Sequence, residues 1–111
     1  MLIPRGDYNA YEQEIVEKYS PFYSGDIDIW FISEFTLPNC GVTDTHYRAT
    51  GCTYWNGNIP YRIELLNDWN WRMFTENSLA HELGHYFFRN KDEDFATRYA
   101  LMMTSWVNSL R

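Results

Sequence analysis

The sequence predicts an α+β fold in which a small mixed sheet packs against helices. Hydrophobic side chains recur at helical spacing near both ends of the chain, whereas they alternate with a period of two in the middle. An Asn56-Gly57 pair between two β-rich segments is a strong short-range signal for a hairpin. The chain has 111 residues, which suits one hydrophobic core, and we expect a single domain over residues 1–111.

The first half of the chain predicts one helix and one strand. Apolar and aromatic residues three to four apart predict an amphipathic helix over residues 7–19, with Asp7 as its N-cap. The period changes to two over residues 26–35, which predicts a half-buried strand. The expected buried face of this strand consists of Ile27, Ile29, Phe31 and Phe35.

The second half begins with the predicted hairpin. Its arms cover residues 46–55 and 59–66, and Pro60 must lie where the sheet needs no amide donor. A helix then begins between residues 69 and 75 and ends near residue 89. A turn and a final helix complete the chain. The expected inward stripe of the final helix consists of Ala96, Ala100, Met103 and Val107.

Composition excludes some classes of function. The formal net charge is −6 and no run of Lys or Arg offsets it, so nucleic acid is not an expected partner. No stretch approaches the ~18 apolar residues of a membrane span, and the N-terminal residues lack the apolar core of a signal peptide. We therefore expect a soluble, cytoplasmic protein without a membrane partner. Secretion is the alternative, since Cys40 and Cys52 could pair in an oxidising compartment.

The predicted second helix contains His81-Glu82-Leu83-Gly84-His85, the pattern of a helical zinc site. Residues four apart lie on one helix face, so His81 and His85 can bind one ion at about 2.0–2.1 Å. Glu82 is rotated by about 100° and can act as general base on a zinc-bound water. Zinc lowers the pKa of that water to about 7 and polarises the scissile carbonyl. The pattern predicts zinc-dependent hydrolysis of peptide bonds.

A chance match on a packed helix is the alternative interpretation of this motif. Two stacked histidines without a ligand would leave ring nitrogens that need other partners. Gly84 also lowers helix stability by about 1 kcal/mol relative to Ala, which is unexplained unless something approaches closely. Both observations favour a functional site.

A third protein ligand is expected among the carboxylates that follow the motif, Asp92, Glu93 and Asp94. Relative to the inward stripe of the final helix, Asp92 and Glu93 lie near the margins, whereas Asp94 points away. Asp92 is also a natural N-cap for this helix. We predict Glu93 as the third ligand, with Asp92 as the alternative.

These residues resemble the gluzincins, zinc metallopeptidases in which a His-Glu-x-x-His helix is followed by a glutamate ligand on a later helix. Residues 81–85 match the first element, and residues 92–97 are similar to the stretch around the glutamate ligand, with Glu93 in the ligand position. The resemblance implies a minimal zincin-like fold with a backing helix, a small sheet, an active-site helix and a C-terminal helix. By the same analogy, a strand over residues 61–66 would pair with extended substrate.

The chain also departs from that family. Only seven residues separate His85 from Glu93, so the chain must reverse tightly at residues 89–92. We expect no lower lobe beyond the final helix, and the group that stabilises the tetrahedral intermediate is therefore unassigned. Its candidates are Tyr86, Tyr99, Arg98 and His46.

The expected activity is cleavage of a peptide or protein substrate, by an endopeptidase rather than an exopeptidase. The alternative function is a zinc-binding regulatory or latent module of the same fold without turnover, with self-association as a further option. Residues 38–44 are similar to the cysteine-switch segment of matrix metallopeptidase prodomains. The residues Asn39 and Thr43 depart from that segment and favour a turn with a buried or paired Cys40.

Overall fold

A computed structural model describes residues 1–110 and has an α+β architecture, which confirms the predicted class and the mixed sheet. The strands are β1 (Leu2–Gly6), β2 (Ile27–Ile32), β3 (Gly51–Asn56) and β4 (Ile59–Leu66), and the helices are α1 (Ala10–Tyr19), α2 (Thr75–Phe88) and α3 (Glu93–Ser109). The strand order is β1-β2-β4-β3. Strand β2 is parallel to β1 and β4, whereas β3 is antiparallel to β4.

The main core lies between the sheet and the helices. Successive side chains of a strand point to opposite faces, and this core contains Ile27, Ile29 and Phe31 of β2 together with Ile63 and Leu65 of β4. Ile29 and Ile63, paired in register, are fully buried, and each contributes about 1.5–3 kcal/mol through the removal of apolar surface from water. The helices contribute buried side chains that include Ile15, Val16, Tyr19, Leu79, Leu83, Ala100, Met103 and Val107.

The N-terminal region differs from the sequence prediction. Strand β1 was not predicted, because Pro4 and Gly6 disfavour strands. The structure tolerates Pro4 because β1 lies at the sheet edge, where a residue without an amide donor leaves no ladder bond unmade. The amide of Asp7 donates to the sheet at Phe31, so Asp7 cannot start the helix. Helix α1 begins at Ala10, with Asn9 as the N-cap in a capping box completed by Glu12.

Strand β2 is shorter than predicted. It ends at Ile32 instead of residue 35, and Phe35 packs on the opposite side of the sheet from the helices. Phe35 joins Ala49, Cys52 and Leu66 in a second apolar cluster, so its assignment to the face of Ile27, Ile29 and Phe31 was wrong. A loop begins after Ile32, and beyond this residue the side chains no longer alternate between the two faces of the sheet.

A buried carboxylate lies on this second side of the sheet. Glu64 on β4 is fully buried and accepts hydrogen bonds from the Thr36 amide at 3.0 Å and the Thr36 hydroxyl at 2.6 Å. Tyr54 and Arg62 are further hydrogen-bond partners of Glu64, and Arg62 Nε donates at 2.7 Å. These bonds fix the start of the β2–β3 loop against the sheet.

The predicted β3–β4 hairpin is confirmed, with a two-residue turn at Gly57 and Asn58. Gly57 has a φ of 62°, a conformation that favours glycine. The register shifts between Tyr54 and Trp55, and Pro60 pairs beside this irregularity, where a missing amide is tolerated. Strand β4 has the predicted bounds, residues 59–66.

Strand β3 begins at Gly51, later than the predicted residue 46. The preceding loop is closed by Asn39, whose side chain donates to the carbonyls of Val42 and Tyr47 and accepts from the Ala49 amide. A disulfide between Cys40 and Cys52 ties this loop to β3. Cys40 is therefore paired, which agrees with the interpretation drawn from Asn39 and Thr43, the two departures from the cysteine-switch segment.

Strand β4 is an interior strand. Residues 63–66 pair with β2 on one side, and β4 pairs with β3 on the other. The expectation that residues 61–66 pair with substrate is therefore wrong for residues 63–66, because the backbone groups of these residues pair within the sheet on both sides. Strand β3 is the sheet edge on this side.

Helix α2 follows a 3₁₀ segment, Trp69–Phe74, that is capped by Asp68. It ends at Phe88, and Arg89 follows in the left-handed conformation. Both bounds agree with the prediction. Within residues 1–110, none of the helices combines the length and the apolar character needed to cross a bilayer.

Candidate metal centre

His81, His85 and Glu93 form a cluster at the junction of α2 and α3. His81 and His85 lie one turn apart on α2, and Glu93 is the first residue of α3. Glu93 Oε2 is 3.0 Å from His81 Nε2, and Glu93 Oε1 is 2.9 Å from His85 Nε2. The potential ligand atoms of the three residues all lie within 4.8 Å of one another, so this group could hold a metal ion.

The chain reversal between the helices brings Glu93 to the histidines. Arg89 has a φ of 48°, and the Asn90 amide donates back to the His85 carbonyl at 3.2 Å. The Asn90 side chain accepts from the Asp92 amide at 2.9 Å, which closes the turn. The tight reversal required by the short spacing is therefore present.

Asp92 and Asp94 do not join the cluster. Asp92 is the N-cap of α3, and its Oδ1 accepts from the Asp94 amide at 2.9 Å, as expected for a short acidic residue before a helix. Asp94 is exposed. Of the three neighbouring carboxylates, Glu93 is the one that the turn directs to His81 and His85.

The hydrogen bonds of His85 show what this cluster can bind. His85 Nδ1 lies 2.6 Å from the Asn90 carbonyl oxygen, which can only accept, so Nδ1 carries the proton. In the neutral imidazole, Nε2 then directs a lone pair at Glu93 Oε1, also an acceptor, 2.9 Å away. Two facing acceptors need a cation between them, either a proton or a metal ion.

The geometry also fits a tetrahedral metal site. Burial lowers the pKa of His81, although Glu93 opposes this effect, and a neutral imidazole is the form that binds metal. Ligand atoms about 2.0–2.1 Å from a tetrahedral zinc ion are about 3.3 Å apart. The two distances from a histidine nitrogen to the Glu93 carboxylate, 3.0 and 2.9 Å, are within a few tenths of an ångström of this separation.

Glu82 lies beside this cluster with its side chain buried. It is 6% exposed, and its Oε1 accepts a hydrogen bond of 2.8 Å from the Thr53 hydroxyl on β3. Burial raises the pKa of Glu82 to about 7, against the opposing effects of Thr53 and His85. A carboxylate with this pKa can accept and release protons near neutral pH.

Gly84 is explained by helix packing. A Cβ atom at this position would lie 2.8 Å from Cδ1 of Tyr99, so only glycine allows α3 to come this close to α2. The Tyr99 hydroxyl is hydrogen-bonded to that of Tyr23 at 2.6 Å. The group that approaches Gly84 is therefore α3 itself, so this glycine does not favour a functional site over helix packing, contrary to the sequence interpretation.

A cleft of about 560 Å³ opens beside the cluster, between β3, the β2–β3 loop and the two helices. Its lining includes Val42, Tyr47, Gly51, Thr53, Trp55, Ser78, His81, Glu82, His85 and Glu93. Within the described part of the chain, that lining contains none of the four residues named as candidate stabilisers of the intermediate.

Tyr47 is a cleft residue that the sequence analysis missed. Burial raises the pKa of its hydroxyl, and the negative charges of Glu93 and Glu82 add to this effect, so the hydroxyl stays protonated and can donate a hydrogen bond. Tyr47 lies in an irregular loop, where no periodicity marks a functional residue.

Comparison of the chain with protein-family models, with curated proteins and with solved structures found no match. The interpretation of this centre therefore rests on its own geometry and on the motifs of the sequence.

Proposed function

We propose that this protein is a zinc-dependent peptidase of the gluzincin type with a zincin-like fold. In this proposal His81, His85 and Glu93 bind one Zn²⁺, and Glu82 is the general base. The observation that carries it is the buried Glu82 carboxylate, which lines the same cleft as a His/His/Glu donor cluster. A purely structural metal site has no use for a buried carboxylate beside its ligands.

The free edge of β3 supports a peptide substrate. The Leu66 amide donates to the Thr50 carbonyl at 3.1 Å, so these two residues form a hydrogen-bonded pair of the antiparallel ladder. Such pairs alternate along the strand, which directs the backbone groups of Gly51 and Thr53 away from β4. An extended segment within a longer polypeptide can pair with these groups beside the metal centre, which supports endopeptidase activity.

When bound, zinc would supply a Lewis acid for the scissile carbonyl and make a nearby water more acidic. Glu82 removes a proton from the attacking water as the water oxygen bonds to the carbonyl carbon. It then gives a proton to the amine nitrogen as the C–N bond breaks, so the products are a carboxylic acid and an amine. We assign the protonated Tyr47 hydroxyl as hydrogen-bond donor to the carbonyl oxygen, where negative charge develops.

Metal analysis and kinetics together test this proposal. After reconstitution with zinc and removal of excess metal, we expect one zinc ion per chain in the wild type and in Glu82→Gln, but loss of zinc in His81→Ala. Against a library of internally quenched fluorogenic peptides, Glu82→Gln should lower turnover by about 10²–10⁴-fold, because an amide cannot act as base.

Each result has a distinct meaning. A wild type that binds no zinc would refute the metal centre. Zinc binding without turnover in the wild type would instead establish the metal-binding module without catalysis. Turnover that is unchanged in Glu82→Gln would refute only the role of Glu82.

A further inference from the structure

Two residues of β3 contact the Glu82 side chain. The Thr53 hydroxyl donates to Glu82 Oε1 at 2.8 Å, and Thr53 is itself buried. At Gly51, a Cβ atom would lie 3.0 Å from Glu82 Cγ and 3.1 Å from Oε2. The edge strand thus holds one carboxylate oxygen and leaves room for the other.

We infer that Thr53 is a positioning residue that fixes the orientation of the Glu82 carboxylate toward the metal centre. This inference rests on the proposed function. The terminal torsion of a glutamate is broad, so packing alone leaves the carboxylate plane poorly defined. Thr53 is β-branched, and its χ1 torsion is restricted on a strand. Its hydroxyl therefore has a fixed position, which gives the hydrogen bond to Glu82 Oε1 a well-defined direction. Oε2, beside Gly51, is then the oxygen that exchanges protons.

The same strand has two separate tasks in this arrangement. The backbone groups of Gly51 and Thr53 face the open edge, where substrate pairs, whereas the Thr53 side chain faces Glu82. Removal of the hydroxyl leaves the backbone groups unchanged. The loss of positioning should therefore lower kcat and leave KM nearly unchanged.

Thr53→Val removes the hydroxyl and keeps the shape of a β-branched side chain, while Thr53→Ser keeps the hydroxyl and is the matched control. We expect kcat to fall about tenfold or more in Thr53→Val, in the range of residues that orient catalytic groups, and to stay within about threefold of wild type in Thr53→Ser. Both variants should bind zinc as tightly as the wild type, since Thr53 does not contact the three ligands.

A second measurement does not depend on turnover. Acetohydroxamate binds to a metal ion and can donate a hydrogen bond to a correctly oriented neighbouring carboxylate. In the Co²⁺-substituted protein, titration with acetohydroxamate is followed by visible absorption. Its Kd should rise about tenfold in Thr53→Val and in Glu82→Gln, but not in Thr53→Ser.

Unchanged kcat and unchanged acetohydroxamate affinity in a folded, metal-loaded Thr53→Val variant would overturn the inference. If Thr53→Val does not fold, Thr53→Ala is measured in its place with the same expectations. If the wild type shows no turnover, the proposed function fails, and the acetohydroxamate titration still decides the role of Thr53.

Discussion

The close contact at Gly84 gives a quantitative prediction for the substitution Gly84→Ala. The added Cβ would lie 2.8 Å from Cδ1, 3.1 Å from Cγ and 3.3 Å from Cβ of Tyr99. Carbon atoms pack best at about 3.5–4.0 Å, so the shortest contact must open by about 0.7 Å. The contacted atoms belong to the base of the side chain, and the Tyr99 hydroxyl is held by Tyr23, so the ring cannot easily turn away. We therefore expect α3 to move outward.

This movement acts on the metal centre through Glu93. Glu93 precedes Tyr99 by six residues on α3, or about 9 Å along the helix axis. Metal–ligand distances tolerate changes of only about 0.2 Å, and a shift of about 0.7 Å exceeds this tolerance. We expect zinc affinity to fall about 10–100-fold, as for other changes that misplace ligands.

The effect on folding should be smaller than the effect on zinc binding. Ala at position 84 raises helix propensity by about 1 kcal/mol. Overpacking costs about 1–3 kcal/mol, so the free energy of unfolding of the zinc-free protein should fall by about 0–2 kcal/mol. Urea denaturation of the zinc-free variants measures this term.

A competitive chelator titration measures zinc affinity of Gly84→Ala in two backgrounds. In Tyr99→Ala the ring is absent, and the remaining contact with Cβ at 3.3 Å needs little adjustment. Gly84→Ala should therefore weaken zinc binding in the wild-type background but have little effect in the Tyr99→Ala background. Equal losses in both backgrounds, or no loss in the first, would refute the argument that this contact sets the position of Glu93.

Two further predictions concern carboxylates. Glu93→Ala should lose high-affinity zinc binding in the same chelator titration, whereas Asp92→Asn should retain it. Asp92→Asn should lower only the free energy of unfolding, by about 1 kcal/mol, because it weakens the N-cap of α3. The reverse pattern would make Asp92 the ligand. For Glu64, burial alone would raise the pKa, but hydrogen bonds, chiefly from Thr36 and also from Tyr54 and Arg62, lower it below its ordinary value. The stability from Glu64 is thus present above the unfolded-state pKa of about 4.3 and is lost as pH falls through the folded-state pKa. Urea denaturation between pH 7 and pH 3 should show that the free energy of unfolding of the wild type falls with pH, and that the fall is smaller in Glu64→Gln. The same dependence of the unfolding free energy on pH in both proteins would contradict this prediction.

Local signals in the sequence were sufficient to predict that His81, His85 and Glu93 lie close together. His81, His85 and Glu93 lie within one helix, one turn and the start of the next helix, so helix phase and capping could predict their convergence. The N-cap role of Asp92 left Glu93 as the better candidate for the same local reason. The left-handed Arg89 was not predicted as such, but the short spacing already required a sharp reversal there.

Features that depend on distant contacts could not be predicted. Strand β1 is stabilised by its pairing with β2, and the β1 sequence alone, with Pro4 and Gly6, does not indicate a strand. Phe35 continues the alternation of β2 in sequence but packs in a different cluster, because the chain leaves the sheet after Ile32. The sequence analogy proposed residues 61–66 as the strand that pairs with substrate, but β3 is the edge strand. Strand order decides this, and no local sequence pattern determines strand order.

The environment of the proposed general base, Glu82, is the clearest case of such a distant contact. Glu82 was predicted from its place in the motif, but its hydrogen-bond partner Thr53 lies 29 residues away on β3. The proposed metal ligands belong to the α2–α3 unit, whereas the hydroxyl that contacts the Glu82 carboxylate belongs to the sheet edge. In the proposed enzyme, metal binding and turnover therefore depend on different parts of the fold. Changes on β3 should reduce turnover while zinc binding persists, and changes at the α2–α3 contact should first reduce zinc binding.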